Sequence, residues 1–180
     1  MTLGVASAPS DVGELTFDAL YDAHFDLVWR SLRRLGVPDS ALDDALQDVF
    51  VVVHRQLTGF QGRSSPRTWL AGIAVRVAAD HRRRLRRKGG WEELSPAVVD
   101  PGPGPQEQAA RAEGIQLLDR LLRQLEDFKR EVFVMVELEQ MTAPEVAEAL
   151  GLNLNTVYSR LRLARADFER ALAAYRAGSK

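Results

Sequence analysis

The chain of 180 residues contains no cysteine. Disulfides, thiolate metal sites and cysteine nucleophiles are therefore excluded, and the composition fits a reducing compartment, so a cytoplasmic location is expected. No apolar run approaches the roughly 20 residues that a membrane-spanning helix needs. The first residues, Met1 to Asp11, are small and polar and lack the basic start and apolar stretch of a signal peptide. There are only three histidines, His24, His54 and His81. They show no HExxH-like spacing and no matching carboxylate cluster, so neither a metal nor another cofactor is expected. Strict polar–apolar alternation is nearly absent, which argues against β-sheet. An excess of one charge is lacking too: 24 Lys and Arg face 25 Asp and Glu, a net of −1.

What is present is ordinary globular material, 46% hydrophobic and 27% charged, long enough for one domain or two small ones. The balanced charge hides a segregation. Residues 1–90 carry a net +3, residues 91–159 a net −8 and residues 160–180 a net +4. Between residues 76 and 88, seven basic side chains face Asp80 alone. Local basic stripes of this kind are what binding to a phosphate backbone requires, whatever the total.

Residues 89–106 hold four prolines and four glycines, which forbid a continuous helix or a central strand. This stretch is expected to be a linker between two helical domains, residues 15–88 and 107–176, after a flexible N-terminus, residues 1–14. Both flanks show helical periodicity, and the fold class is all-α. A first helix runs from Phe17 to near Gly36, with Phe17, Leu20, Tyr21, Val28, Trp29 and Leu32 on its seam. Asp39 or Ser40 is positioned to cap a second helix, whose seam is Leu42, Leu46, Val49, Phe50, Val53 and Leu57. A third helix runs from about Pro66 to Lys88, with Trp69, Leu70, Ile73, Val77 and Leu85 inward. Beyond the linker come a helix ending near Leu125, another over Lys129–Glu139, a short one over Pro144–Leu150 and a long one from about Asn153.

On the third helix, Arg76, Arg83 and Arg87 share one stripe beside the apolar seam, flanked by Arg82 and Arg86. Such a face can lie along phosphates, although cations near a helix C-terminus are also favoured by the macrodipole. Asp80, one turn from Arg76 and Arg83, reads as an intrahelical ion-pair partner, and His81 as a packed or half-exposed residue at the seam edge. On the second helix, Asp44, Gln47, Asp48, Val51, Val52 and Arg55 lie opposite the seam. The dipole explains acids in the first turn, Asp43 and Asp44, but not the outward valines. Apolar residues ringed by acids read as a protein-binding face.

The strongest motif is Thr142 to Arg160. Thr142 is placed as an N-cap, Pro144 falls in the first turn, and Glu145 completes a capping box. Gly151 follows the last apolar residue, as a helix-terminating glycine does, and Asn153 is placed to cap the next helix. That helix is expected to bury Leu154, Val157, Leu161, Ala164, Phe168 and Leu172. Its other face carries Asn155, Tyr158, Ser159 and Arg162, with Thr156 and Arg160 on the flank. Hydrogen-bonding side chains at the start of a second helix are what reading the DNA major groove needs.

On these residues the chain resembles an extracytoplasmic-function (ECF) sigma factor of bacterial RNA polymerase. The resemblance covers about residues 17–88 and 115–173 and rests on Ala41–Phe50, Arg67–Ala74 and Asp80–Arg84, then on Arg130–Phe133, Pro144–Gly151 and Thr156–Arg165. It implies that Asp43, Asp44, Gln47, Asp48 and Phe50, joined by Val51, dock on the polymerase clamp. It implies that the segment from Phe60 to Trp69, with Arg63 and Arg67, captures an unpaired −10 base, and that Arg76 and the basic helix with Asp80, Arg83, Arg84 and Arg87 contact the −10 strand. Phe60, Trp69 and Trp91 are the candidate stacking aromatics, with Trp69 chiefly a core residue. The helix from Asn153 corresponds to the −35 reader, through Asn153, Asn155, Thr156, Tyr158, Ser159, Arg160 and Arg162, with its domain on the polymerase flap. The partners implied are core RNA polymerase, promoter DNA and a separate anti-sigma factor. Two positions depart from the family pattern: Glu126 where Leu-Pro is usual, and Ser64-Ser65-Pro66 where an aromatic is common before Arg-Thr-Trp. A free-standing helix-turn-helix regulator would explain residues 142–165 but not the second and third helices, and an enzyme using Asp43, Asp44 or His81 lacks any companion constellation.

Overall fold

The computed structural model describes residues 15–87 and 105–178. Expectations for the N-terminus, for most of the linker and for Trp91 lie outside the described residues. All regular structure among the described residues is helical, as the periodicity required.

Three helices form the first half. Helix α1 spans Phe17–Arg34, and the Thr16 hydroxyl caps it by accepting from the Ala19 amide at 3.3 Å. It buries Leu20, Val28 and Leu32 and ends in a turn through Gly36, whose φ of +90° an L side chain rarely adopts. Helix α2 spans Asp39–Gln56. Its N-cap is Pro38, and no side chain caps it. The expectation that Asp39 or Ser40 would do so is corrected: they are the first and second residues of the helix, and the extended Pro38 stands at the N-cap. Helix α3 spans Pro66–Arg87. The Ser65 hydroxyl accepts from the Thr68 amide at 3.1 Å, and Pro66 follows where a missing amide costs nothing. Leu42, Val49 and Val53 of α2 pack with Leu70, Ile73 and Ala78 of α3 and the α1 seam. Each such leucine, isoleucine or valine side chain, fully buried, contributes about 1.5–3 kcal/mol.

The second half starts with α4, Pro105–Arg123, two residues earlier than the sequence-based linker boundary. Helix α5, Asp127–Phe133, continues as a π-helical turn over Val134–Leu138. Glu126, at the N-cap of α5, has a φ of −58°, the value a proline ring would impose, so the family's usual proline is not needed for this turn. Gln140, at φ +54°, reverses the chain into α6, Ala143–Leu150. Thr142 and Glu145 form the expected capping box, and Gly151 adopts a left-handed φ of +63°. Helix α7, Leu154–Gly178, buries Val157, Leu161 and Ala164. Leu154, expected inside, is exposed at the very start of α7.

The two halves touch. One continuous apolar cluster runs from the α1–α3 seams through Leu122, Leu125, Val132, Met135 and Val146 to Val157 and Leu161. The backbones of α3 and α6 come close at Gly72, where an added Cβ would stand 2.6 Å from the carbonyl oxygen of Ala149 in α6.

Candidate nucleic-acid and polymerase interfaces

The expected protein-binding face of α2 is one wall of an apolar groove of about 480 Å³. Leu46, Phe50 and Val51 line it from α2, with Asp43, Gln47 and Arg55 at its edge. The opposite wall is Phe17 and Tyr21 of α1. Their rings pack on Phe50, Tyr21 at 4.6 Å and Phe17 edge-on at 6.2 Å between centroids. Sequence reasoning placed both on the α1 seam; two aromatics spaced i and i+4 at the seam edge were the available signal. Val51 is exposed, whereas Val52 packs against the core and is not outward as expected. Phe50 is itself mostly buried and forms the groove floor. Asp43, Asp44 and Gln47 are exposed. Asp48 faces α3 instead: its carboxylate meets His81 Nε2 at 2.8 Å and Arg84 at 3.7 Å. It thus ties α2 to α3, and His81, read as packed or half-exposed, is buried.

After α2 comes a short 3-10 turn, Leu57–Gly59, and a loop that turns at Gly62. The rings of Phe60 and Trp69 lie 4.8 Å apart at 36°. They border a polar cavity of about 580 Å³ together with Gln56, Thr58, Arg63 and Ser64. A cavity with a π-face and several hydrogen-bonding groups has the elements a single base requires. Arg67 does not line it. Its guanidinium donates to the main-chain carbonyl of Glu139 in the second half.

Along α3, Arg76, Arg83, Arg84 and Arg87 are exposed, and Asp80 pairs with Arg83 as the spacing indicated. Arg82 and Arg86, read as flanking members of the stripe, are engaged otherwise. Arg82 is buried, donating to the Leu35 carbonyl at 2.6 Å and to Glu131 at 2.8 Å. Arg86 donates to Asp127 at 2.9 Å. Burial opposes ionisation of Asp127, but Arg82, the Arg86 hydrogen bond and Arg130 outweigh it and hold its carboxyl below the usual range. A cleft of about 400 Å³ separates Val75, Arg76, Asp80 and Arg83 from Glu131, Leu152 and Arg160.

On the helix-turn-helix, Asn153 caps α7 by accepting from the Asn155 amide at 2.8 Å. Asn155, Tyr158, Ser159 and Arg162 then stand together in solvent, with Tyr158 53% exposed. Thr156 is half-buried beside them. Arg160 points away from this face and lies over the Phe128 ring at 5.3 Å. The Thr142 amide and hydroxyl bonds lower the Glu145 carboxyl below its ordinary value, which strengthens the cap that orients α6.

An apolar groove, a polar cavity beside two aromatic rings and a basic helix lie in one half, and a helix-turn-helix lies in the other. Residues 20–88 match the family described as Sigma-70 region 2 and residues 115–168 match Sigma-70, region 4. The chain is 33% identical over 146 residues to the ferric citrate uptake sigma factor FecI of Escherichia coli, 79% of this chain and 83% of that protein. It is 29% identical over 178 residues to the RNA polymerase sigma factor CnrH of Cupriavidus metallidurans, 94% and 93% of the two chains. The solved structure of CnrH in complex with the cytosolic domain of CnrY aligns with a TM-score of 0.67 at 28% identity, covering 88% of each chain. The sigma factor RpoE in complex with the anti-sigma factor NepR, from Bartonella quintana, shares the fold with a TM-score of 0.63 at 21% identity, covering 85% of this chain and 96% of that one. This chain belongs to the sigma-70 family, as an ECF-type sigma factor that directs RNA polymerase to promoters in transcription initiation. No helix among the described residues is long and apolar enough to cross a membrane.

Proposed function

We propose that four surfaces divide the work of this sigma factor. The α1–α2 groove, with Asp43, Asp44, Gln47 and Val51 around Phe50, docks on the polymerase clamp, and the second half rests on the flap. The apolar floor supplies attraction, and the acidic rim supplies orientation and a fast encounter with a basic partner. The cavity beside Phe60 and Trp69, with Arg63 on its border, holds an unpaired −10 base. Arg76, Arg83, Arg84 and Arg87 follow the adjoining strand, and Asp80 fixes the Arg83 side chain. Asn155, Tyr158, Ser159 and Arg162 read the −35 element in the major groove, while Asn153 and Thr156 border the phosphates.

The chain contributes binding and strand capture, performs no covalent chemistry of its own and acts in the cytoplasm. An anti-sigma protein competing for the same apolar groove is the control that fits, since two of the structural relatives are held by such partners or a cytosolic domain. The observation that carries the assignment is the sequence of surfaces along α2, the loop and α3: groove, cavity, basic stripe, in the order a partner and then a separated strand would meet them.

A pair of substitutions tests it. Asp44→Arg, at an exposed position without a bonded partner among the described residues, should weaken binding to core polymerase about tenfold while leaving duplex −35 recognition by the resulting holoenzyme intact. Arg162→Ala should leave core binding intact and cost roughly 1–3 kcal/mol of discrimination at one −35 base pair. Core affinity unchanged by Asp44→Arg removes the groove assignment. A loss from Arg162→Ala that is uniform across sequences reassigns that side chain to a phosphate.

A further inference from the structure

The turn between α6 and α7 is held on both sides, yet it leaves one large apolar side chain in water. The Gly151 amide donates to the Glu148 carbonyl at 3.2 Å and the Leu152 amide to the Ala147 carbonyl at 2.8 Å. These are the paired bonds of a helix closed by a left-handed glycine. Leu152 then packs against the core. The Asn153 carbonyl accepts from the Thr156 amide at 2.9 Å and the Val157 amide at 3.1 Å, and its side chain accepts from the Asn155 amide. Val157 is fully buried. Leu152 and Val157 thus anchor the turn on either side of Leu154, and the fold has no use for Leu154 itself. As the first residue of α7 it stays 38% exposed, and Tyr158, one turn on, is 53% exposed.

Residues i and i+4 of a helix lie one above the other. Leu154 and Tyr158 therefore make one line along α7, largely apolar. Asn155 and Ser159, with Arg162 three residues further, make the neighbouring line, and all three are polar and exposed. A lone exposed leucine is ordinary on a protein surface. This one begins an apolar strip that borders a hydrogen-bonding strip, at the end of the helix that faces base edges in a helix-turn-helix. Hydrogen-bonding side chains read donors and acceptors there. The major groove also offers one apolar group, the 5-methyl of thymine, and only an apolar side chain reads it.

We propose that Leu154 is a specificity-determining residue of the −35 surface: it packs on the 5-methyl group of a thymine beside the bases that Asn155, Ser159 and Arg162 read, and the Tyr158 ring closes the apolar side of the contact. The inference rests on the reading that α7 enters the major groove at the −35 element. It commits that element to a thymine at one position. Adenine and cytosine would press an amino group against the leucine, and guanine a carbonyl oxygen, each stripped of water without a partner. Burial of one methyl-sized group changes affinity about fourfold.

The test uses the full chain assembled with core polymerase, on duplexes carrying the −35 element that this holoenzyme selects from a randomised pool. Each thymine of the element is replaced in turn by uracil, which removes the methyl and keeps every hydrogen-bonding group. Wild type should bind about fourfold more weakly when one particular thymine is replaced. Leu154→Ala should bind the thymine and uracil duplexes alike. So should Leu154→Gln, which keeps a long side chain and a good helix former but loses the apolar end. The uracil series on wild type needs no substitution and stays decisive if a variant folds poorly. A selected element without thymine, or wild-type binding indifferent to uracil at every thymine, overturns the methyl contact. A uracil penalty that persists in both variants gives the methyl to another side chain and overturns the role of Leu154. In either case Arg162→Ala on the same duplexes separates the causes. Discrimination relaxed at one −35 base pair keeps α7 in the groove and discards only the leucine contact, while unchanged discrimination discards the −35 assignment itself.

Discussion

Arg130→Met should be the most damaging single substitution away from the DNA and polymerase surfaces. The Arg130 side chain is 3% exposed and its guanidinium serves four main-chain carbonyls: Leu122 at 2.8 Å, Leu125 at 2.9 Å, Arg123 at 3.3 Å and Leu35 at 3.3 Å. It also stands 3.5 Å from Asp127. Burial pushes its pKa down to about 10, so it stays charged at neutral pH and the carbonyl bonds offset that desolvation. Methionine fills a similar volume and removes the buried charge, but it takes that donor from the Arg123 and Leu125 carbonyls at the end of α4, while Leu122 keeps the Leu125 amide and Leu35 keeps Arg82. Leaving a buried acceptor unsatisfied costs about 1–3 kcal/mol, which for a chain of this length lowers Tm by roughly 2–12 °C. Arg130→Lys should recover little, because one ammonium cannot span carbonyls on both sides of the α4–α5 turn. Urea and thermal unfolding of the full chain measure both variants. A loss below about 1 kcal/mol for Arg130→Met would mean that water replaces the guanidinium, and the packing argument for the junction would fail.

Two further outcomes follow from the caps and the carboxylates. Thr142→Ala removes the capping-box hydroxyl and should cost about 1 kcal/mol, read as a lower urea midpoint with −35 recognition weakened in parallel; an unchanged midpoint would show the box to be redundant. Asp127 has a folded pKa below its unfolded one, so its contribution is complete above the ordinary aspartate range and is lost as pH falls through the lowered value. Asp119 has the opposite sign: burial raises its carboxyl despite Arg33, so its protonation on acidification favours the fold. The share of the stability-against-pH curve that Asp127 contributes should therefore fall only below about pH 4, and Asp127→Asn should flatten that limb; an identical limb in the variant would refute the assignment.

The helix-turn-helix was legible because every local rule agreed. Thr142, Pro144, Glu145 and Gly151 fix both ends of α6 through their own backbone chemistry, and the structure reproduces each. The helices of the first half were legible from periodicity for the same reason. What was not legible is how side chains are shared between halves. Arg82 and Arg86 read as part of a DNA stripe because a helical wheel cannot show that α5 lies alongside. Gly72 carried only the weak signal of a glycine inside a helix, which is tolerated where another backbone comes close. Arg67 and Arg160, expected at the −10 and −35 surfaces, are drawn to Glu139 and Phe128, contacts that depend on the same packing. Asp48 likewise turned to His81, so it is a poorer probe of the partner face than Asp44. One signal did anticipate the association: a −8 middle between blocks of +3 and +4 is the pattern of a chain that pairs with itself.

The central claim is that this chain supplies promoter choice to RNA polymerase through two separate DNA-reading surfaces. Transcription reconstituted from core polymerase and the full chain, over a library of randomised −35 and −10 segments, tests it most directly. The account predicts transcripts that start only from templates carrying a selected pair of elements at fixed spacing, with Arg162→Ala relaxing selection at the upstream element and Arg76→Ala at the downstream one. Transcripts no different from those of core polymerase alone, or selection at the upstream element only, would contradict it.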